Sequence, residues 1–119
     1  MDAPFGQHLI VDLAGCEPAV VADGDALKRL ILGLCEVIGM EPYGPPWAER
    51  FALHDPVAAG WTVVQPITTS LVSLHGSESR SSICLDVFSC RDFDADAAVD
   101  YVLKVLGGYV VQRTVLTRY

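Results

Sequence analysis

The sequence predicts an α+β fold, a two-layer α/β sandwich in which an antiparallel sheet carries two helices on one face. Three observations predict it. Two segments repeat their apolar residues at helical spacing and stop at glycine. The segments around them are rich in alternating and β-branched residues, as strands are. The resulting order, strand, helix, strand, strand, helix, strand, suits a sheet whose helices gather on one side. With 119 residues, 51% hydrophobic and 19% charged, the chain reads as one domain over residues 1–119 with enough apolar material for a core. Disorder is excluded on that composition. A chain this short buries a modest share of its surface, and the uncovered sheet face calls for a second copy, so a homodimer is expected.

Taken in order, "HLIVDLAGC" (residues 8–16) reads as a strand punctuated by Gly15. Residues 23–40 are the clearest helix, with Asp23 or Asp25 as cap and Leu27, Leu30, Ile31, Leu34, Cys35 and Ile38 on one face. "EPYGPPWAER" (41–50) has three prolines and a glycine and reads as a loop with a short turn after Pro46. Residues 60–74 read as extended structure interrupted at Pro66, which cannot donate to a sheet ladder and so marks an edge or a bend. Residues 76–82, "GSESRSS", read as a polar loop. Over 83–90, Ile83, Leu85, Val87 and Ser89 face one side, and Cys84, Asp86, Phe88 and Cys90 the other. Residues 94–108 form the second helix, acid-rich at its start and ended by two glycines, and 109–119 a last strand.

The net charge of −7 argues against nucleic acid and anionic membranes as partners. No apolar run reaches the roughly 18 residues of a membrane span. "MDAPFGQH" has no basic start and no signal-like stretch, so a cytoplasmic location is expected. Cys16, Cys35, Cys84 and Cys90 form no CxxC pair, so no metal site is expected. Cys84 reads as a packing residue.

Residues 68–82 hold eight Ser or Thr, followed on the next strand by Cys90. Ser70 and His75 lie five apart, so on one unbroken strand they point to opposite faces; acting together requires a bend, a bulge or a cut. A cut is chemically accessible. Ser70 can attack the carbonyl of Thr69, shifting the amide to an ester. β-Elimination then breaks the chain between 69 and 70, and hydrolysis of the new terminus leaves a pyruvoyl group. Such a ketone is an electron sink for a substrate amine, the role pyridoxal phosphate plays elsewhere, and a nearby thiol or imidazole can return the proton.

Here the chain resembles the bacterial S-adenosylmethionine decarboxylases, small self-processing pyruvoyl enzymes, over most of its length. "GQHLIVDLAGC" is similar to the family's opening G-R-H-L-I-x-E-x-x-G-C. "SLVSLH" is similar to the processing segment S-H-x-[ST]-I-H. "CLDVFSCRDFDADAAVDYVLKVL" is similar to A-x-D-x-F-T-C-G-x-x-x-D-P-x-x-A-x-x-x-L. The resemblance implies Ser70 as the pyruvoyl precursor, His75 as the processing base, Cys90 as the proton donor, and Thr69 and Thr62 as processing residues. His54, Glu78 and Ser79 fall at substrate-binding positions. The implied activity is decarboxylation of S-adenosylmethionine in polyamine (spermidine) synthesis.

The departures concern the substrate. The family's Glu before the processed serine is Thr69, the His after it is Leu71, and T-W-P-E becomes Gly76, Ser77, Glu78 and Ser79. The second aromatic of the family's F-H-x-F falls on Pro56. An adenosyl group needs stacking and an acid on its diol. A changed substrate, such as a simpler amino acid, is therefore one expectation. The rival is a non-cleaving homologue acting as a binding or regulatory module or carrying unrelated chemistry.

Overall fold

The computed structural model describes residues 3–119, so the first two residues of the predicted domain lie outside the described residues. One six-stranded antiparallel sheet runs through them in the order β2-β3-β4-β5-β1-β6. The strands are β1 (Gly6–Ala14), β2 (Trp47–Phe51), β3 (Gly60–Ile67), β4 (Ser70–Ser77), β5 (Ser82–Ser89) and β6 (Tyr109–Arg118). The helices are α1 (Pro18–Val21), α2 (Gly24–Val37) and α3 (Ala95–Leu106). Alternation decides the faces. Leu9, Val11 and Leu13 of β1, Val72 and Leu74 of β4 and Ile83, Leu85 and Val87 of β5 are buried with Leu27, Leu30, Ile31 and Leu34 of α2 and Val99, Val102 and Leu106 of α3. The helices start where predicted, because Asp23 accepts from the Asp25 and Ala26 amides and Asp94 from that of Ala97. No helix among the described residues is long and apolar enough to cross a membrane.

Three local expectations are corrected. Residues 60–74 are not one bent strand but two, β3 and β4, turned at Thr68 and Thr69 so that Ile67 faces Ser70. Pro66 sits inside the sheet without disrupting it because β2 pairs β3 only as far as Trp47 with Val64, so no β2 carbonyl waits for the missing N–H. The predicted loop over 41–50 ends in β2, an edge strand held by pairing to β3 rather than by burial. The loop over 76–82 shrinks to a turn, because β4 runs to Ser77, opposite Ser82.

The other face of the sheet is open. It carries His8, Ile10 and Asp12 of β1, Phe51 of β2, Thr62 and Val64 of β3, Leu71, Ser73 and His75 of β4, and Cys84, Asp86 and Phe88 of β5. Cys84 is thus not packing material: it is exposed here. Partial desolvation on the sheet surface, then a hydrogen bond to Asp12 and the charges of Asp12 and Asp86, raise its thiol above the ordinary range.

Candidate functional site

The site residues fall into two groups at opposite ends of β4. The first surrounds the Thr69–Ser70 peptide. Sheet register sets Ser70 opposite Ser89, which brings the β3–β4 turn against the end of β5. There the Cys90 N–H donates to the Thr69 carbonyl at 3.0 Å. Ser70 has φ +152°, a region L residues avoid. Such backbone persists only where surrounding contacts over-determine it. They do so here: the Thr68 amide donates to the Glu41 carbonyl at 2.9 Å, and Thr69 Oγ1 lies 2.7 Å from Ser89 Oγ.

Three hydroxyl residues stand in a row at this turn, and their hydroxyls differ in freedom. Thr68 Oγ1 donates to the Glu41 carbonyl at 3.3 Å. Thr69 Oγ1 is engaged by Ser89 and by Met40 Sδ, at 2.7 and 3.3 Å. Ser70 Oγ makes no hydrogen bond among the described residues, and Cys90 is exposed beside it in the chain end that grips Thr69.

The second group is built on His75, which register places between Thr62 and Cys84. His75 Nε2 lies 2.9 Å from the Ala58 carbonyl, which can only accept, so Nε2 carries the proton. In the neutral ring Nδ1 is then the acceptor, and Thr62 Oγ1 donates to it at 2.7 Å. Phe51 lies against the imidazole with ring centroids 6.3 Å apart. Five residues at the strand rise put the Ser70 and His75 backbones roughly 16 Å apart. The structure therefore joins Thr69, Ser70 and Cys90 in one place and Thr62 and His75 in another.

Of the three residues expected on substrate, Glu78 and Ser79 lie at the His75 end of β4, against the same 56–59 segment whose Ala58 carbonyl meets His75: the Glu78 amide donates to the Ala59 carbonyl at 3.1 Å. Glu78 makes a two-point ion pair with Arg50, at 2.6 and 2.9 Å. That contact holds its carboxyl below the usual range and raises the guanidinium. Arg50 pairs with Trp61, whose indole donates to the Ala22 carbonyl on the helix side, so Glu78 is drawn away from the open face. Ser79 Oγ donates to the Pro56 carbonyl at 2.5 Å. His54 is exposed in the loop between β2 and β3. Sequence reasoning missed Ser89 and Met40. Ser89 left a signal: it is a hydroxyl at the last position of the otherwise aliphatic row Ile83, Leu85, Val87, and a fully buried polar group needs a reason.

The chain is thus an α+β sandwich, a helix-backed antiparallel sheet with a strained, hydroxyl-bearing turn gripped by a cysteine-bearing strand end. The family model described as S-adenosylmethionine decarboxylase matches residues 7–119, and the chain belongs to this family. It is 31% identical over 101 residues to an S-adenosylmethionine decarboxylase proenzyme of Pyrococcus furiosus, covering 84% of this chain and 68% of that one. A proenzyme of the same description from Bacillus velezensis is 26% identical over 102 residues, covering 86% and 76%. The adenosylmethionine decarboxylase structure from Aquifex aeolicus superposes with a TM-score of 0.81 over 98% of this chain and 92% of that one. At 21% identity, this supports the fold.

Proposed function

We propose that this chain is a self-processing, pyruvoyl-dependent decarboxylase that works as a cytoplasmic homodimer. The observation that carries the reading is the Thr69 carbonyl held on the Cys90 N–H, next to a strained serine whose hydroxyl alone of the three in the turn is free. An N–H on a carbonyl oxygen is in place to stabilise the negative charge that attack develops there. Attack by Ser70 Oγ forms the C–O bond, breaks the C–N bond and leaves the hydroxyl proton on the residue 70 nitrogen. It also releases the backbone strain at Ser70. Loss of the residue 70 Cα proton then expels the Thr69 carboxylate, and water replaces the nitrogen, which departs as ammonia. The residues present thus fit a pyruvoyl group made from Ser70. That group supplies an electron sink for the charge left by departing CO2. Cys90 sits at the same strand end as the proton donor.

Thr62 and His75 enter from a second copy. Regular alternation with Val72 and Leu74 would turn the Ser70 hydroxyl to the helix-covered face, but the φ of +152° breaks that alternation at the first residue of β4. A two-fold axis lying between two stacked open faces, and crossing β4 near Ser73, then sets the Ser70 end of one strand over the partner's Thr62 and His75. The Thr62 hydroxyl, already donating to Nδ1, then passes its proton to the imidazole as it receives one from Ser70, and the imidazolium delivers a proton to the residue 70 nitrogen as the C–N bond breaks. The exposed Phe51, Leu71 and Leu116 supply apolar cover for that stacking.

S-adenosylmethionine is the substrate the family suggests, which sets the protein in polyamine synthesis. The Arg50–Glu78 pair favours a changed substrate: an acid already bound at two points is poorly available for a ribose diol. Intact mass tests the reading. Purified protein shows fragments 1–69 and 70–119, the second with a hydroxylamine-reactive blocked terminus, and Ser70→Ala stays whole. CO2 release from S-adenosylmethionine, arginine and ornithine then ranks substrates. A wild-type chain still whole after long incubation would falsify self-processing and leave a non-cleaving member of the family.

A further inference from the structure

We infer that Ser89 is a positioning residue for the backbone cut, a role that rests on the self-processing reading above. Its hydroxyl is completely buried, yet it stands in a row of aliphatic core residues. It accepts from the Arg91 N–H at 3.0 Å and lies 2.7 Å from Thr69 Oγ1. Thr69 Oγ1 in turn lies 3.3 Å from Met40 Sδ, closer than the 3.6 Å from Ser89. Two hydroxyl protons can serve only two of these three contacts, so the shorter sulfur contact orders the chain. Arg91 N–H donates to Ser89, Ser89 donates to Thr69, and Thr69 donates to Met40. Arg91 closes the ring from outside, its guanidinium donating to the Gly39 carbonyl.

The network has two consequences for the reaction. First, Thr69 is gripped at both ends by consecutive residues of one strand end, its side chain by Ser89 and its carbonyl by the Cys90 N–H. With Thr69 fixed, Ser70 cannot relax from φ +152° by rotating the preceding peptide. The strain is retained until the acyl shift. Second, the turn offers three hydroxyls that could each attack an upstream carbonyl. The Ser89 contact removes the most dangerous competitor, Thr69 Oγ1, by making it a donor to sulfur and an acceptor from Ser89. Selection of the 69–70 bond therefore belongs to Ser89 as much as to Ser70.

Ser89→Ala and Ser89→Thr, with Thr69→Val as an independent way to break the same contact, test this. Hydroxylamine cuts the ester made by the acyl shift and reads that step alone, while intact mass reads spontaneous cleavage and far-UV circular dichroism with thermal melting reads folding. In the folded protein, Ser89→Ala and Thr69→Val each slow hydroxylamine-dependent and spontaneous cutting by about tenfold, the worth of roughly one hydrogen bond in the transition state. Ser89→Thr, which keeps the hydroxyl, recovers most of the rate. If Ser89→Ala does not fold, Thr69→Val decides. Cutting at the wild-type rate in a folded variant lacking the contact overturns the role of Ser89 and leaves self-processing standing. Wild-type protein that never cuts overturns both.

Discussion

At the residue scale, the backbone and the side chain of position 90 have separable duties. The amide holds the Thr69 carbonyl, and any residue but proline has that amide. In the proposed reaction the thiol returns a proton to the product. Cys90→Ala should therefore still cut to 1–69 and 70–119 while CO2 release falls by about 10²- to 10⁴-fold, the usual contribution of a positioned acid. Mass and CO2 measured on one preparation check both halves. Glu78 gives a second residue-scale expectation, this time in pH. Its carboxyl titrates lower in the folded chain than in the unfolded one because Arg50 binds the ionised form. The unfolded chain thus holds its proton up to higher pH, so the pair stabilises above about pH 4.3, and that contribution is lost as pH falls through the depressed folded value. Glu78→Gln should melt below wild type at pH 7, with the two converging in acid. Because the pair is partly exposed, the gap also narrows in high salt.

At the scale of elements, legibility followed how far local chemistry reports pairing. The two long helices were readable because periodicity, cap and stop agree, as at Asp23 with Leu27, Leu30, Ile31 and Leu34. The faces of β5 were readable from alternation alone. The β3–β4 turn was not, because Thr-Thr-Ser carries none of the Gly, Asn or Pro that mark hairpins; the turn is imposed by Glu41, Ser89 and Cys90 from elsewhere in the chain. For the same reason Ser70 and Cys90 matched motif positions, whereas their support by Ser89 and Met40 became visible only in three dimensions. β2 escaped because its pairing partner, not its five mostly exposed residues, makes it a strand. The far end of the β3–β4 hairpin is tightly constrained. A Cβ on Gly60 would lie 1.8 Å from the Gly76 carbonyl oxygen, a backbone atom that cannot swing aside. Gly60→Ala should cost about 1–3 kcal/mol in a urea unfolding curve, typical of forced overpacking. It should also disturb the neighbouring Ala58 carbonyl that orients His75.

At the scale of the whole molecule, one sheet with one covered face leaves the chemistry divided. The serine and cysteine occupy one end of β4 and the imidazole the other, roughly 16 Å apart along a regular strand. No side-chain rotation spans that gap, and the sheet register is locked by the buried residues of the helix-covered face. Either the imidazole is idle in processing or it serves another chain. Mixing two inactive variants separates these. Ser70→Ala lacks the attacking hydroxyl but keeps Thr62 and His75; His75→Ala keeps the hydroxyl and lacks the base. Each alone should remain whole, or nearly so. Unfolded together and refolded, the pair should associate at random, so about half of the His75→Ala chains meet a Ser70→Ala partner. Those chains should be cut between 69 and 70, and mass spectrometry should find fragments only from the chain carrying the alanine at 75. If the mixture stays as whole as its components while size-exclusion chromatography shows mixed dimers, the imidazole is idle in processing, and the stacked-face arrangement is wrong.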